Sequence, residues 1–299
     1  MQIIDGKKIS DEIRTELKAK AEELKVKGVH PGLATILVGE DPASHVYVNS
    51  KIKACEALGI KSFHHKLPET AGETELIDLI EKLNQDKSVS GILLQLPLPR
   101  KLNADRCVNA ISPDKDVDGL TVNSLGKLFS LKKWGEIESA KLLVPCTPLG
   151  VIYLLKKYGI EIAGKHAVVL GRSNLVGKPL SILLMSNDAT VTMAHSQTKN
   201  IPEIARQADI LVAAIGKSRF VKKEFIKPGA TVIDVGMNRD RDGLCGDVDF
   251  KDAAGIAGFM TPVPGGVGPM TITMLMHNTI LAGLKQSPAK NTEAIRILS

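Results

Sequence analysis

The sequence predicts an α/β fold with two sheet-bearing units, and three observations carry that prediction. Short apolar runs alternate with segments of helical spacing along most of the chain, the pattern of parallel strands joined by crossover helices. The alternation comes twice, once before residue 100 and again from residue 165. The 299 residues suffice for about two domains.

The elements follow in order. Residues 10–27 are expected to form an amphipathic helix: Ser10 is placed to cap it, Ile13, Leu17, Ala21 and Leu24 share a face, and Gly28 ends it. LATILVG (33–39) reads as a buried strand, and residues 43–58 have helical spacing that stops at Gly59. KSFHHKL (61–67) is strand-like, ELIDLIEKLNQD (75–86) is helical and SGILLQL (90–96) is a strand. Between about 120 and 145 the pattern weakens. LFSLKKWGEIESAK, polar and interrupted by Gly135, reads as a connection, and PCTPLG then opens a helix through Leu155. The second series runs HAVVLG, a helix from Gly177 to Met185, ATVTMA, ILVAAIG and ATVIDVGMN, with a fifth strand in GIAGFMTPVPGG. PMTITMLMHNTILAGLKQ reads as a long closing helix with Pro269 at its first position.

Composition narrows the function classes. Hydrophobic residues make up 43% of the chain, enough for sizeable cores, so a largely disordered chain is excluded. No run of about 18 apolar residues occurs, so no ordinary membrane span is expected. The charged start lacks the apolar stretch of a secretory signal, and its acidic residues argue against a transit peptide. Cys55, Cys107, Cys146 and Cys245 form no CxxC pair and read as reduced thiols of a cytosolic protein. The net charge is +6 and aromatics are only 3%, so a nucleic-acid surface is not expected.

Chemistry concentrates at a few places. GRSNLVGKP lies between a strand and a helix, and Gly171, Arg172, Ser173 and Gly177 stand where a Rossmann unit puts its phosphate loop. Glycines let the backbone approach a pyrophosphate, and the helix start is expected to supply free N–H groups. The spacing is G-x5-G and not the regular G-x-G-x-x-G, so a plain tight turn remains an alternative. The following strand ends in His195 and Ser196, with no carboxylate to hold a ribose 2′-hydroxyl. Arg172 and Ser196 are suited to a 2′-phosphate instead, which favours NADP over NAD; the alternative is a solvated surface arginine.

In the first unit Ser44, Tyr47 and Lys51 recur at helical spacing, a small platform of aromatic ring and amine or else a half-buried Tyr beside a surface Lys. Gln95 closes a strand just before Leu96-Pro97-Leu98-Pro99, at the end where ligands gather in parallel sheets. PDKDVDGL brings Asp114, Asp116 and Asp118 close in sequence, but without the ligand count of a calcium loop, so a single Asp accepting N–H groups of a ligand reads equally well. TPVPGGVGP is a rigid, glycine-rich loop that either wraps a ligand or forms a shaped turn, with a cis proline as one option.

YVNSKIKA, GILLQLPLP, PDKDVDG, PCTPLG, GRSNLVGKP, VIDVGMN and TPVPGGVGPMT occur in that order over about residues 1–285. Together they closely resemble the bifunctional 5,10-methylenetetrahydrofolate dehydrogenase/cyclohydrolase family. The resemblance implies hydride transfer from 5,10-methylenetetrahydrofolate to NADP⁺, then hydrolysis of the methenyl product to 10-formyltetrahydrofolate. It implies that Lys51 assists proton transfer, that Gln95 orients it, that Tyr47 stacks on the folate and that Asp118 pairs with the pterin N–H donors, so that no metal is needed. Ser44, Leu94, Leu96 and the loop Pro264, Gly265, Gly266, Val267 and Gly268 would complete the folate site. Gly171, Arg172, Ser173, Gly177, Ser196 and Met237 would hold NADP. It further implies a folate-binding catalytic domain (1–141 with 270–299), a Rossmann-like NADP domain (142–269), a cleft between them, and a homodimer in the cytoplasm. The stretch from Gly126 to Pro145 is longer than the family's pattern, which bears on domain orientation and not on the matched motifs. Two rival readings stay open here. One is another two-domain NADP-dependent oxidoreductase, which would not need the Tyr47, Lys51, Gln95 and Asp118 set. The other is a nucleic-acid binder, suggested by the charge alone.

Overall fold

The computed structural model describes residues 1–241 and 243–287. Residues 288–299, part of the span expected in the first domain, lie outside the described residues. In chain order, β1 (Gln2–Ile3), α1 (Gly6–Val26), β2 (Gly32–Val38), α2 (Pro42–Leu58), β3 (Lys61–Leu67), α3 (Glu73–Gln85), β4 (Gly91–Leu94) and α4 (Ala104–Asn109) come first. They are followed by α5 (Val122–Ser130), α6 (Trp134–Ser139), α7 (Cys146–Lys157), β5 (His166–Leu170), α8 (Gly177–Ser186), β6 (Thr190–Ala194), α9 (Ile201–Ala205) and β7 (Ile210–Ala213). A 3-10 turn (Lys223–Phe225), β8 (Thr231–Asp234), the hairpin of β9 (Asn238–Asp240) and β10 (Gly243–Cys245), α10 (Phe250–Ala253), β11 (Phe259–Met260) and α11 (Val267–Gln286) complete the chain. No helix among the described residues is long and apolar enough to cross a membrane.

The chain divides into two compact units. One holds Glu12–Lys127, Lys141–Cys146 and the residues from Ile272 onward; the other holds Met1–Asp11, Leu128–Ala140 and Thr147–Thr271. The first is built on a three-stranded parallel sheet in the order β3-β2-β4. Its central strand β2 is buried along its whole length, as expected of a strand covered on both faces. Ile36, Leu76, Ile80, Ile92 and Cys107, all fully buried, form the heart of its core. β3 is the edge strand and alternates exposed and half-buried residues.

The second unit carries a six-stranded sheet in the order β1-β11-β8-β7-β5-β6, parallel throughout. In both sheets the first long strand is an interior strand, with its two successors on opposite sides of it. The chain therefore reverses its direction of winding beside β2 and beside β5. At such a switch point the loops leaving neighbouring strands diverge and open a crevice at their carboxyl ends.

Three expectations need correction. The first helix starts at Gly6, not at Ser10: Asp5 is its cap, accepting the Lys8 N–H at 2.9 Å, while Ser10 is buried inside the helix. The weak stretch after residue 120 is not a plain connection but holds α5 and α6. Thr121 accepts the Ser124 N–H to start α5, and Ser124 and Leu128 are buried on one face. The Glu136 carboxylate reaches back to the Lys132 N–H at the start of α6. Trp134 stacks edge-on against Tyr153, and the Lys156 ammonium stands 3.7 Å over its ring. Pro269 is the third residue of α11 and not its first; it still lies in the first turn, where a missing N–H costs nothing.

Candidate active site

In the three-strand unit, α2 is set by both ends. Asp41 caps it, accepting the N–H and the hydroxyl of Ser44 at 2.8 and 2.7 Å, and Gly59, in the left-handed conformation, closes it. Between these stops Ser44, Tyr47 and Lys51 follow one another up a single face. Ser44 is buried with its hydroxyl turned to Asp41. Tyr47 is half-buried, and burial pushes its phenol above the ordinary value.

Lys51 meets the end of β4. Its Nζ donates to Gln95 Oε1 at 2.7 Å. The Gln95 backbone N–H still extends the sheet to the Ile36 carbonyl at 2.9 Å, so the strand itself sets the side chain's height. The other end of the amide is pinned too: Nε2 donates to the Leu96 carbonyl at 2.6 Å. Leu94 sends its side chain into the core and can offer a ligand only its backbone, while Leu96 is half-buried.

The three acids of PDKDVDGL part company. Asp114 is exposed and stands 3.9 Å from Lys285. Asp116 is buried and accepts the N–H groups of Leu120 and Thr121. Asp118 alone joins the electrostatic environment of Lys51, together with Cys146. Among the described residues no group of three His, Cys, Asp or Glu side chains is arranged for a metal ion. Burial holds the Lys51 ammonium below its ordinary value, against the opposing pull of Asp118 and Cys146. Burial likewise raises Asp118, and raises Cys146 well above the usual thiol. All three shift toward neutrality because solvent is excluded faster than charge is compensated.

Asn278 on α11 supports this corner. Its Nδ2 donates to the carbonyls of Val117 and Val144 at 2.9 and 2.8 Å, the residues beside Asp118 and near Cys146.

In the six-strand unit a cavity of about 280 Å³ opens at the carboxyl ends of β5, β6 and β7. Gly171, Arg172, Ser173 and Ser196 are among the residues that line it. Gly171 has φ +118°, and a Cβ there would collide with the Ala214 carbonyl oxygen. Gly177 is buried at the start of α8, behind the lining, and Met237 lies outside the lining, close to Gly268. The helix start is not the set of free donors that the motif suggests. Ser173 Oγ accepts the N–H groups of Val176 and Gly177 at 3.1 and 3.4 Å, and the Ser173 carbonyl accepts that of Lys178.

His195, Ile215, Lys217 and Phe220 also line the cavity and were not expected as site residues. Their signal was positional: they follow β6 and β7, where ligands of parallel sheets gather. The loop Pro264–Gly268 belongs to this same unit. Its Val263–Pro264 bond is cis, and the Gly265 carbonyl accepts the Lys7 N–H at 2.9 Å.

Comparison with known proteins matches both parts of the chain. Residues 4–118 match the model of the tetrahydrofolate dehydrogenase/cyclohydrolase catalytic domain, and residues 145–287 match that of the NAD(P)-binding domain of the same family. A relative from Ruminiclostridium cellulolyticum, named bifunctional protein FolD, is 54% identical over 96% of this chain and 98% of its own. The crystal structure of the FolD bifunctional methylenetetrahydrofolate dehydrogenase/cyclohydrolase of Campylobacter jejuni is 44% identical. It superposes with a TM-score of 0.91, covering 96% of this chain and all of that one. The Trypanosoma brucei enzyme, solved with NADP cofactor and an inhibitor, is 38% identical with a TM-score of 0.88, covering 96% of this chain and 98% of that one. With both halves matched in order and the relatives covered nearly end to end, this chain belongs to the tetrahydrofolate dehydrogenase/cyclohydrolase family.

Proposed function

We propose that this chain oxidises 5,10-methylenetetrahydrofolate to the 5,10-methenyl cation with NADP⁺ and hydrolyses that cation to 10-formyltetrahydrofolate. The observation that carries this reading is the hydrogen bond from Lys51 Nζ to an orientation-locked Gln95, on the helix face that also bears Tyr47. Neither half-reaction of an unrelated NADP oxidoreductase needs that set. The family match and the named activities of the relatives support the same reaction pair.

We assign the folate to the unit holding Lys51 and the dinucleotide to the unit holding Gly171. Tyr47 stacks on the pterin, and Asp118 accepts from its N–H donors. Ser44, Leu94, Leu96 and Pro264 to Gly268 flank the substrate. In hydrolysis the water oxygen bonds to the bridge carbon and its proton goes to the neutral Lys51 amine. The added hydroxyl then gives up its remaining proton as the carbonyl forms and the bond from that carbon to N5 breaks; N5 takes up one proton, leaving the formyl group on N10 and one proton released overall. Gln95 keeps the amine aimed throughout. A free lysine titrates near 10.4; the lowered value of the buried Lys51 makes the neutral form accessible.

The cavity at β5, β6 and β7 fits the 2′-phosphorylated dinucleotide. It presents Arg172, Lys217 and the Ser196 hydroxyl and has no carboxylate in its described lining. Bound NADP⁺ supplies the hydride acceptor; Gly171, Arg172, Ser173, Gly177, Ser196 and Met237 bind and orient it. We take the assembly as a homodimer and the compartment as the cytoplasm, on the family resemblance and on four free, buried cysteines.

The test is a steady-state assay of both half-reactions, with NADP⁺ and NAD⁺ in parallel. New NADPH absorbance on mixing with 5,10-methylenetetrahydrofolate is expected, and its absence refutes the reading. For Arg172→Ala the KM for NADP⁺ is expected to rise about tenfold, equivalent to about 1.4 kcal/mol, with NAD⁺ less affected. An equal loss for both cofactors removes the 2′-phosphate argument.

A further inference from the structure

The loop after β7 supplies Ile215 and Lys217 to the cavity, and one carboxylate outside the lining organises it. Asp247, fully buried, accepts through Oδ2 from the N–H groups of Ile215 at 2.7 Å and Gly216 at 3.0 Å. Its Oδ1 accepts from the Lys217 N–H at 2.8 Å and from Asn238 Nδ2 at 2.9 Å. Three successive backbone donors thus converge on a single side chain. Hydrogen bonds to an ionised acceptor are about twice as strong as neutral ones, and three buried N–H groups would be left unsatisfied without it.

Asp247 is itself held. Its own N–H donates to Asp234 Oδ1, and the Val248 N–H donates to Asp234 Oδ2, both at 2.9 Å. Asp234 ends β8 and sits against Thr261, whose hydroxyl oxygen accepts the Asp234 N–H at 2.7 Å. The carboxylate of Asp247 also lies so close to Gly236 that a Cβ there would strike it. The chain from sheet to cavity is continuous: β8 fixes Asp234, Asp234 fixes Asp247, and Asp247 fixes the loop.

We propose that Asp247 is a positioning residue for the dinucleotide pocket, shaping the wall from Ile215 to Lys217 without touching the cofactor. It orients Lys217 and keeps the loop's N–H groups turned inward, so that side chains and not backbone donors face the ligand. This rests on the NADP reading of the cavity given above.

The test is Asp247→Asn, which keeps the side chain's volume but puts an amide NH₂ against N–H donors. Two readouts are needed: fluorescence titration with NADPH, and hydrolysis of 5,10-methenyltetrahydrofolate, a reaction that consumes no dinucleotide. We expect the Kd for NADPH to rise at least tenfold while hydrolysis stays within about twofold of the parent. Equal NADPH affinity in variant and parent overturns the proposal, as does a parallel loss of both readouts in a variant that retains the parental circular dichroism. If Asp247→Asn does not fold, amide hydrogen exchange on the unaltered, cofactor-free chain decides. Slow exchange at Ile215, Gly216 and Lys217 with further slowing on NADPH addition supports the proposal, and rapid exchange or no effect of NADPH overturns it. A parent chain that binds no NADPH refutes the functional reading itself, and this inference with it.

Discussion

Replacing Lys51 by Met lowers the hydrolysis of 5,10-methenyltetrahydrofolate by about 10²- to 10⁴-fold, the contribution of a well-placed proton-transfer group. Methionine has a similar length and no charge to bury, so the fold tolerates it. The lysine stands partly desolvated, with its ammonium disfavoured by burial, and removing it relieves that cost. The oxidation step is expected to suffer less, because the hydride does not pass through the amine. The sign of the pH dependence follows from the same cause. The neutral amine is the working form, and burial lowers Lys51 from the ordinary 10.5. The hydrolysis rate therefore rises with pH and levels off once the lowered pKa is passed. A variant hydrolysing at the parental rate, or a parental rate that falls steadily as pH increases, would contradict the role given to Lys51.

Gly171→Ala is expected to cost about 2–4 kcal/mol of stability, the sum of left-handed backbone strain and a steric collision. The position has φ +118°, and the added methyl would meet the Ala214 carbonyl oxygen. That collision cannot be relieved by turning a side chain. β5 and β7 must separate at their carboxyl ends, where both line the cavity. Affinity for NADPH should drop more than tenfold, and thermal unfolding should begin at a lower temperature. Hydrolysis of methenyltetrahydrofolate near ambient temperature should persist, since Lys51 and Gln95, which are assigned its proton transfer, lie in the other unit. Unchanged melting together with unchanged NADPH binding would show that the close approach is not needed.

The sequence was informative where burial was periodic or continuous over a whole element. β2 and β5, with almost every residue buried, read as strands because only a central parallel strand has no polar face. α2 was legible because its helical spacing ends at Gly59, a stop that acts through local chemistry, although its Asp41 cap was not read. The failures were of two kinds. α5 and α6 are short, bury only one or two side chains each and contain glycine, so tertiary packing of Leu128, Ile137 and Trp134 decides their structure. β1 is two residues long and exists because β11 completes its hydrogen bonds; pairing across more than 250 residues leaves no local trace. Among the site residues, motif and resemblance singled out Lys51, Gln95 and Asp118, which lie in one unit, and Gly171, which lines the cavity of the other. They did not reveal that Ser173 satisfies the helix start or that Asp247 supports the opposite wall. Both are contacts between a side chain and backbone atoms, whose partners carry no residue-type signature.

The locked amide of Gln95 has one more consequence. With its nitrogen committed to Leu96, the group can show the amine only an oxygen bearing partial negative charge. A formal anion in that place would trap a proton on the nitrogen and turn a base into a permanent cation. An uncharged acceptor holds either protonation state nearly as well, so the lysine can gain and lose its proton in every catalytic cycle without losing its place.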